Sequence, residues 1–490
     1  MLTAPDYVVL LAALVATLAI GGTFTRRQTD TQQFFLAGRH VPWWAVLLSF
    51  LATEVSALTV IGVPGTAFRE DWGYLQFFVG SSAAKVAVAL LFVPAFYELQ
   101  VTTIYELLLH RLGRATQVSA SLFFFVTRLL GSSVRLLVAA RAVSLLLGWD
   151  LLFTLGLFTA VSILYIAAGG VSAIVWTNVL QAGLFIAAGV AALLFVLSRI
   201  DGGAARAWEL ASAAGRLRVW NPGPSLEDPW LFLRAWLKEP NIWGVALLNG
   251  FVGSLAAFGT DHDLMQRLLS VETRRDSQRT LLLSPVITGA LLLVYLGLGS
   301  ALFAYAAQHP DWVVKRPDDV FPQFVGDVMP AGLRGLVLTA IVLASLDSPL
   351  GALSASFVTD IYRPLLAKDR TEAHYLRVSR VGVLVFGVVL ALLALAFARF
   401  DGILWLAFKI TGVTFGSLLG VFLLALLPRR PRLLDPGNVV AMCLMSALNL
   451  WLLWLSETGA LPLAWSWLVV LGTAGTTLLA LAIGLVAPRR

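Results

Sequence analysis

Apolar stretches long enough to cross a bilayer recur along the whole chain, and no other feature limits its fold as strongly. They fall at roughly 6–24, 42–66, 74–98, 116–147, 150–169, 172–198, 241–261, 281–307, 333–361, 379–399, 402–427, 438–456 and 464–486. Lipid offers the backbone no hydrogen-bond partners, so such a chain spans as helices that satisfy their own amides and carbonyls. A spanning helix takes about 20 mostly apolar residues, and the pattern predicts an all-α integral membrane protein with about 13 transmembrane helices. Composition agrees: 59% of the 490 residues are hydrophobic and 13% charged, too few polar groups to clothe a soluble core of this size.

The formal charge of +7 comes mainly from arginines in the connections. Arg26, Arg27, Arg39, Arg111, Arg114, Arg274, Arg275, Arg279, Arg363, Arg370, Arg429, Arg430 and Arg432 all fall on one side if the N-terminus is outside. The opposing segment 308–331 carries Asp311, Asp318, Asp319 and Asp327. The positive-inside rule then places the N-terminus outside and the C-terminus in the cytoplasm, in an inner or plasma membrane. Topology, and no nucleic-acid partner, accounts for the charge. Cys443 stands alone, and the five histidines show no zinc-ligand spacing. No nucleophile triad or phosphate loop is present. The alternative of a membrane enzyme using intramembrane carboxylates predicts an external loop with paired acids and a histidine; 199–240 carries Asp201, Glu209, Glu227, Asp228 and Glu239 but no histidine, so a non-enzyme is expected.

Polar residues inside the apolar runs mark where function should sit. Gly332 to Arg363 places Ser345, Asp347, Ser348, Ser354, Ser356 and Thr359 within one span. A carboxylate and hydroxyls at bilayer depth are costly unless they meet a cation, a partner or water. Such oxygens are the ligands of hard cations. Pro349 removes one helical N–H and frees an upstream carbonyl. Two other spans read as interrupted. SFLATEVSALTVIGVPG carries Glu54, Ser56 and Thr59 in mid-span, and NGFVGSLAAFGTDHD is rich in glycine. They are the first and sixth of ten spans once the first helix is set aside. That arrangement points to a transporter of two inverted five-helix repeats with its site at the midplane. The expected divisions are an extra helix at 1–30, repeats at 41–199 and 241–428, an external loop at 200–240 and two C-terminal helices at 437–490. The sequence DHD at 261–263 reads as a cytoplasmic helix end.

Three arginines enter the span 116–147. Arg128 and Arg135 lie seven residues apart, close to two turns, and so share a face. Arg128 is expected to snorkel to the cytoplasmic interface and Arg141 to the outer one. Arg135 is central and requires an anion: Glu54, Asp347 or a bound solute.

At these residues the chain resembles the sodium:solute symporter family. FFLAGRHVPWWAVLLSFLATEVSALTVIGVPG (34–65), AAGGVSAIVWTNVLQ (167–181), GTDHDLMQRLLS (259–270), DDVFPQF (318–324) and ASLDSPLGALS (344–354) are similar to its conserved blocks. The resemblance implies a leucine-transporter-like five-plus-five inverted repeat. It also implies a common Na⁺ site made of the carbonyls of Ala52, Val55 and Ile341 with position 344 and Ser345. Asp347, Ser348 and Asn178 form the candidate second cation site. Ser56, Thr59, Gln76 and Arg135 are the candidate substrate-binding residues. Three departures stand out: Ala344 where the family carries Ser, Asn178 where it carries Asp, and Gly351 where it carries Asn. They predict weaker Na⁺ binding. The function expected is secondary transport of a small organic solute, possibly anionic, in symport with Na⁺. The alternative is a proton-coupled or uncoupled relative, with Asp347 or Glu54 as proton carrier.

Overall fold

The computed structural model describes residues 2–24, 28–225, 227–314, 319–346, 349–398, 403–428 and 433–486, all helix and connection. α1 (Ala4–Phe24) and the short α2 (Thr31–Leu36) precede a broken span, α3 (Trp43–Glu54) and α4 (Ala57–Arg69). α5 (Tyr74–Ala87) continues through a wide turn into α6 (Val93–Glu98), and the short α7 (Glu106–Arg111) leads to α8 (Arg114–Leu147). After α9 (Leu151–Ser198), the long connection folds as α10 (Gly203–Ala213) and α11 (Pro229–Lys238). A second broken span follows, α12 (Trp243–Thr260) and α13 (His262–Leu268), then α14 (Arg274–Gln308) and α15 (Val320–Asp327). α16 (Leu333–Leu346), α17 (Leu350–Ser356), α18 (Glu372–Phe397), α19 (Ile403–Leu426), α20 (Asp435–Glu457) and α21 (Ser466–Val486) complete the chain.

Among the described residues, ten helices are long and apolar enough to cross a membrane, or eleven if the pair Thr31–Arg39 and Trp43–Glu54, bent by 110°, counts as one. The expected thirteen are thus not reproduced as thirteen continuous helices. One reason is α9, whose 48 residues carry two of the expected runs. At about 1.5 Å per residue it would be more than twice as long as a bilayer core is thick. Gly170 divides it: φ is 56° and ψ −150°, and a Cβ there would lie 2.5 Å from the Phe34 carbonyl oxygen. The other reasons are that the expected run 42–66 is split into α3 and α4, and that the described residues of 333–361 lie mostly in the shorter helices α16 and α17.

The spans sort into two packed groups. α5 lies against α12, and α3 and α4 against α14, so the first two spans of each expected half form one bundle. α8, α9, α16, α17 and α18 pack on one another as a scaffold. The scaffold is tied by charge as well as by apolar contact. Asp360, fully buried, accepts hydrogen bonds from Thr103, Gln117, Ser121 and Ser356. Asp6 of α1 accepts from the Gly332 and Gly335 amides at 2.9 Å and pairs with Arg334 at 2.7 Å, which caps α16 and fastens α1 to the scaffold.

Small residues allow the close approaches. A Cβ on Gly80 would sit 2.2 Å from the Leu247 carbonyl oxygen, and one on Gly250 2.2 Å from that of Phe77, so α5 and α12 touch backbone to backbone. Gly416 and Gly420 of α19 meet α21 closely as well, a Cβ on Gly416 lying 2.7 Å from the Val469 carbonyl oxygen and one on Gly420 3.0 Å from that of Thr473. Gly80→Val should cost about 1–3 kcal/mol or more through overpacking, seen as a lower melting temperature of purified protein. Gly183→Ala, where a Cβ meets nothing within 4 Å, should leave the melting temperature unchanged.

Candidate binding site

Both broken spans stop inside the protein, and they end differently. α3 stops at Glu54; Val55 takes φ −83° and ψ 96°, and Ser56 begins α4 without a side-chain cap. A helix end leaves its last four carbonyls without intrahelical partners, so the Val55 region presents oxygen while Ser56 keeps its hydroxyl out of capping. α12 ends at Asp261, whose carboxylate accepts from the Asp263 amide at 2.9 Å and the Leu264 amide at 3.4 Å. That is an ordinary N-cap for α13.

Glu54 holds Lys85 of α5, with Nζ at 2.6 and 2.7 Å from the two carboxylate oxygens, and accepts from the Thr288 hydroxyl of α14 at 3.0 Å. Lys85 is fully buried, and its ammonium lies 4.9 Å from the Phe258 ring centroid. The pair therefore joins three bundle helices, and Glu54 is not the counter-ion of Arg135. Arg128 does not snorkel. It is 9% exposed and forms ion pairs with Asp261 at 3.2 Å and with Asp263. Asp261, His262 and Asp263 are buried, so the helix end at the DHD stretch does not open to solvent. Arg141 donates to the Ala398 carbonyl at the end of α18.

A cavity of about 200 Å³ opens between bundle and scaffold. Phe77, Asn249, Ser254, Ala257 and Asp261 line it from the bundle, Thr127, Arg128, Gly131 and Arg135 from α8. Thr411 and Phe415 of α19, with Trp465 just before α21 and Val469 within it, close the cavity. A smaller cavity of about 20 Å³ adjoins it, sharing Arg128 and Arg135 and adding Ser132, Thr159, Ser162, Ala344 and Pro349.

Of the sequence candidates, Arg135 lines both cavities. Ser56 is buried and Thr59 half-buried; neither is among the described lining residues, though α8 packs against α4. Gln76 is placed elsewhere: its amide donates to the Gly73 and Asn241 carbonyls and accepts from the Asn221 amide, so it anchors the long connection after α9 to α5. Ala52 of α3, Val55 at its end and Ile341 of α16 are buried, and α16 packs on α4, the helix that restarts after the first break. Of Ser345 only the backbone, within α16, is described. Asp347 and Ser348 lie outside the described residues. Asn178 is fully buried and donates to the Ser49 and Thr53 hydroxyls at 3.3 and 3.2 Å. The sequence reading missed Asp261, Asp263 and Asn249. Only Asn249, a polar residue amid glycines in an interrupted span, carried a visible signal.

The buried Lys85–Glu54 pair yields a stability prediction. Removing one partner strands a charge, so Lys85→Met should cost about 3–5 kcal/mol. Lys85→Met combined with Glu54→Gln should recover much of that loss in a thermal melt.

The model of the sodium:solute symporter family matches residues 34–443. The chain is 27% identical over 438 residues to the sodium/sialic acid symporter SiaT of Proteus mirabilis, covering 87% of this chain and 85% of that one. It is also 27% identical over 462 residues to the human sodium-coupled monocarboxylate transporter 1, covering 91% and 72%. A solved structure of a Na⁺-coupled sialic acid symporter, substrate-bound and outward-open, superposes with a TM-score of 0.88 at 23% identity over 100% of this chain and 99% of that one. That likeness shows the fold to be leucine-transporter-like.

Proposed function

Because the chain belongs to the sodium:solute symporter family, we propose that its cargo is a small carboxylate with an apolar body, carried inward with Na⁺. Membership makes it a multi-pass secondary transporter of a small solute with Na⁺, and not an enzyme. The observation that carries the carboxylate reading is Arg135 in the wall of the 200 Å³ cavity. A guanidinium is costly to desolvate, and a carboxylate matches its planar fork with two parallel hydrogen bonds. Around it Phe77, Phe415, Trp465 and Val469 offer apolar surface, while Asn249, Ser254 and Thr127 offer a few polar contacts. The relatives named above carry acids, sialic acid and monocarboxylates, which supports the same class. Ser56 and Thr59 would add hydroxyls from the first break, and Gln76 would act through the external connection that it anchors.

The coupling ion takes the carbonyls of Ala52, Val55 and Ile341 together with position 344 and Ser345. A second cation would draw on Asp347, Ser348 and Asn178. Neutral oxygens suit Na⁺, and the missing hydroxyl at Ala344 weakens the site. The Lys85–Glu54 pair engages both oxygens of Glu54, which disfavours that carboxylate as a proton carrier; in the proton-coupled alternative the role falls to Asp347. The repeats run over 41–199 and 241–428, with the N-terminus outside and the C-terminus in the cytoplasm.

Binding tests this reading. Purified protein should be protected in a thermal-shift assay by small carboxylates in Na⁺ and not in K⁺, while neutral sugars leave it unchanged. Protection by a neutral solute alone would contradict the carboxylate reading. Arg135→Lys should weaken solute binding on the order of tenfold, the loss of one good hydrogen bond to a charged group. Ala344→Ser should tighten Na⁺ binding by roughly tenfold to a hundredfold if the new hydroxyl joins the ion.

A further inference from the structure

The charges of α8 and α13 form a cluster that ion and solute binding leave unused. Arg128 reaches Asp261 and Asp263, and Asp263 in turn takes Arg267 at 2.7 Å. The four side chains are 10%, 1%, 3% and 2% exposed. Arg128 belongs to the scaffold and both aspartates to the break in the bundle's second interrupted span, so these ion pairs cross the divide between the two groups.

Their place in the cavity gives them a role. Asn249, Gly253, Ala257 and Asp261 follow one another at four-residue intervals, so the cavity runs along one face of α12 down to its break. It ends at Arg128, Asp261 and Leu264. Below lies a closed layer. His262, Met265 and Leu268 are fully buried, and the Tyr105 hydroxyl donates to the Thr260 carbonyl at 3.0 Å. The Tyr97 hydroxyl donates to the carbonyls of Leu268 at 2.9 Å and Val271 at 3.0 Å.

We propose that Asp263, with Asp261, positions Arg128 across the bundle–scaffold divide as the inner latch of the solute cavity. Parting the groups at this end separates buried charges, which is tolerable only once water can reach them. The latch is also within electrical reach of the cargo. Arg128 and Arg135 share a face of α8 about 10 Å apart along the axis. A carboxylate held at Arg135 competes with the aspartates for Arg128 and so eases release when the cavity is loaded. This last link rests on the carboxylate reading above; the latch rests on the geometry, and its place at the inner end rests on the orientation proposed there.

A side-resolved labelling experiment separates the two. Leu264→Cys in a Cys443→Ser background places one thiol in the cavity wall next to the latch, and a membrane-impermeant maleimide is applied to each face of oriented vesicles. With the latch intact, labelling from the cytoplasmic face should be slow. Asp263→Asn should speed it on the order of tenfold, a shift in the population of open states, while Asp263→Glu should stay near the parent rate. An unchanged rate in Asp263→Asn protein that melts like its parent overturns the latch. If that variant does not fold, Arg128→Lys replaces it. There the point charge keeps one contact and loses the fork, so faster cytoplasmic labelling supports the latch and an unchanged rate overturns it. No solute is needed for this measurement, so failure of carboxylate binding counts against the function reading and leaves the latch standing.

Discussion

An α-helix that stops partway across a bilayer leaves carbonyls and amides where lipid cannot serve them. The rest of this architecture answers that constraint. At the first break, the end of α3 offers carbonyl oxygen with the negative end of a helix dipole, and the start of α4 offers amides with the positive end. Ser56 does not cap that start. One break can therefore attract a cation on one side and an anion on the other, which is the requirement for moving the two together. At the second break, Asp261 supplies its own cap, and Arg128 balances the charge thus placed inside the protein.

The buried ion pairs divide by the bodies they join. Lys85–Glu54, with Thr288, lies wholly within the bundle, so it moves with the bundle and holds the end of α3 in place. Asp6–Arg334 joins α1 to the scaffold and leaves the divide free. Arg128 with Asp261 and Asp263 crosses it. The backbone-to-backbone contact of α5 with α12 holds these two bundle helices together, and the Asp360 hydrogen bonds hold α8 and α17 together in the scaffold.

Hydropathy and glycine placement made most of this fold legible. The run at 42–66 announced a broken span because Glu54 cannot sit comfortably in lipid-facing helix, whereas α12 continues through Gly250, Gly253 and Gly259 and breaks only at Asp261. The division at Gly170 was visible as two adjoining runs, although the backbone carries helix on both sides of it. The charge pairing was not legible. Arg128 and Asp263 are 135 residues apart, and an arginine a few turns from a span end reads as a snorkeller until its partner is in place. The DHD stretch misled for a related reason: three consecutive polar residues usually mark a helix leaving the membrane, and here they mark one that stops and restarts inside the protein. Gln76 carried no signal that distinguished a ligand contact from a loop anchor; its partners are backbone groups of residues 221 and 241.

Transport itself gives the most direct test of coupling at a shared break. Protein reconstituted into liposomes is given an inward Na⁺ gradient and a radiolabelled small carboxylate found to bind. The account predicts uptake above the equilibrium level that collapses when Na⁺ is replaced by choline or when the gradient is dissipated by an ionophore. Uptake that proceeds equally without Na⁺, and that never exceeds equilibrium, would contradict it.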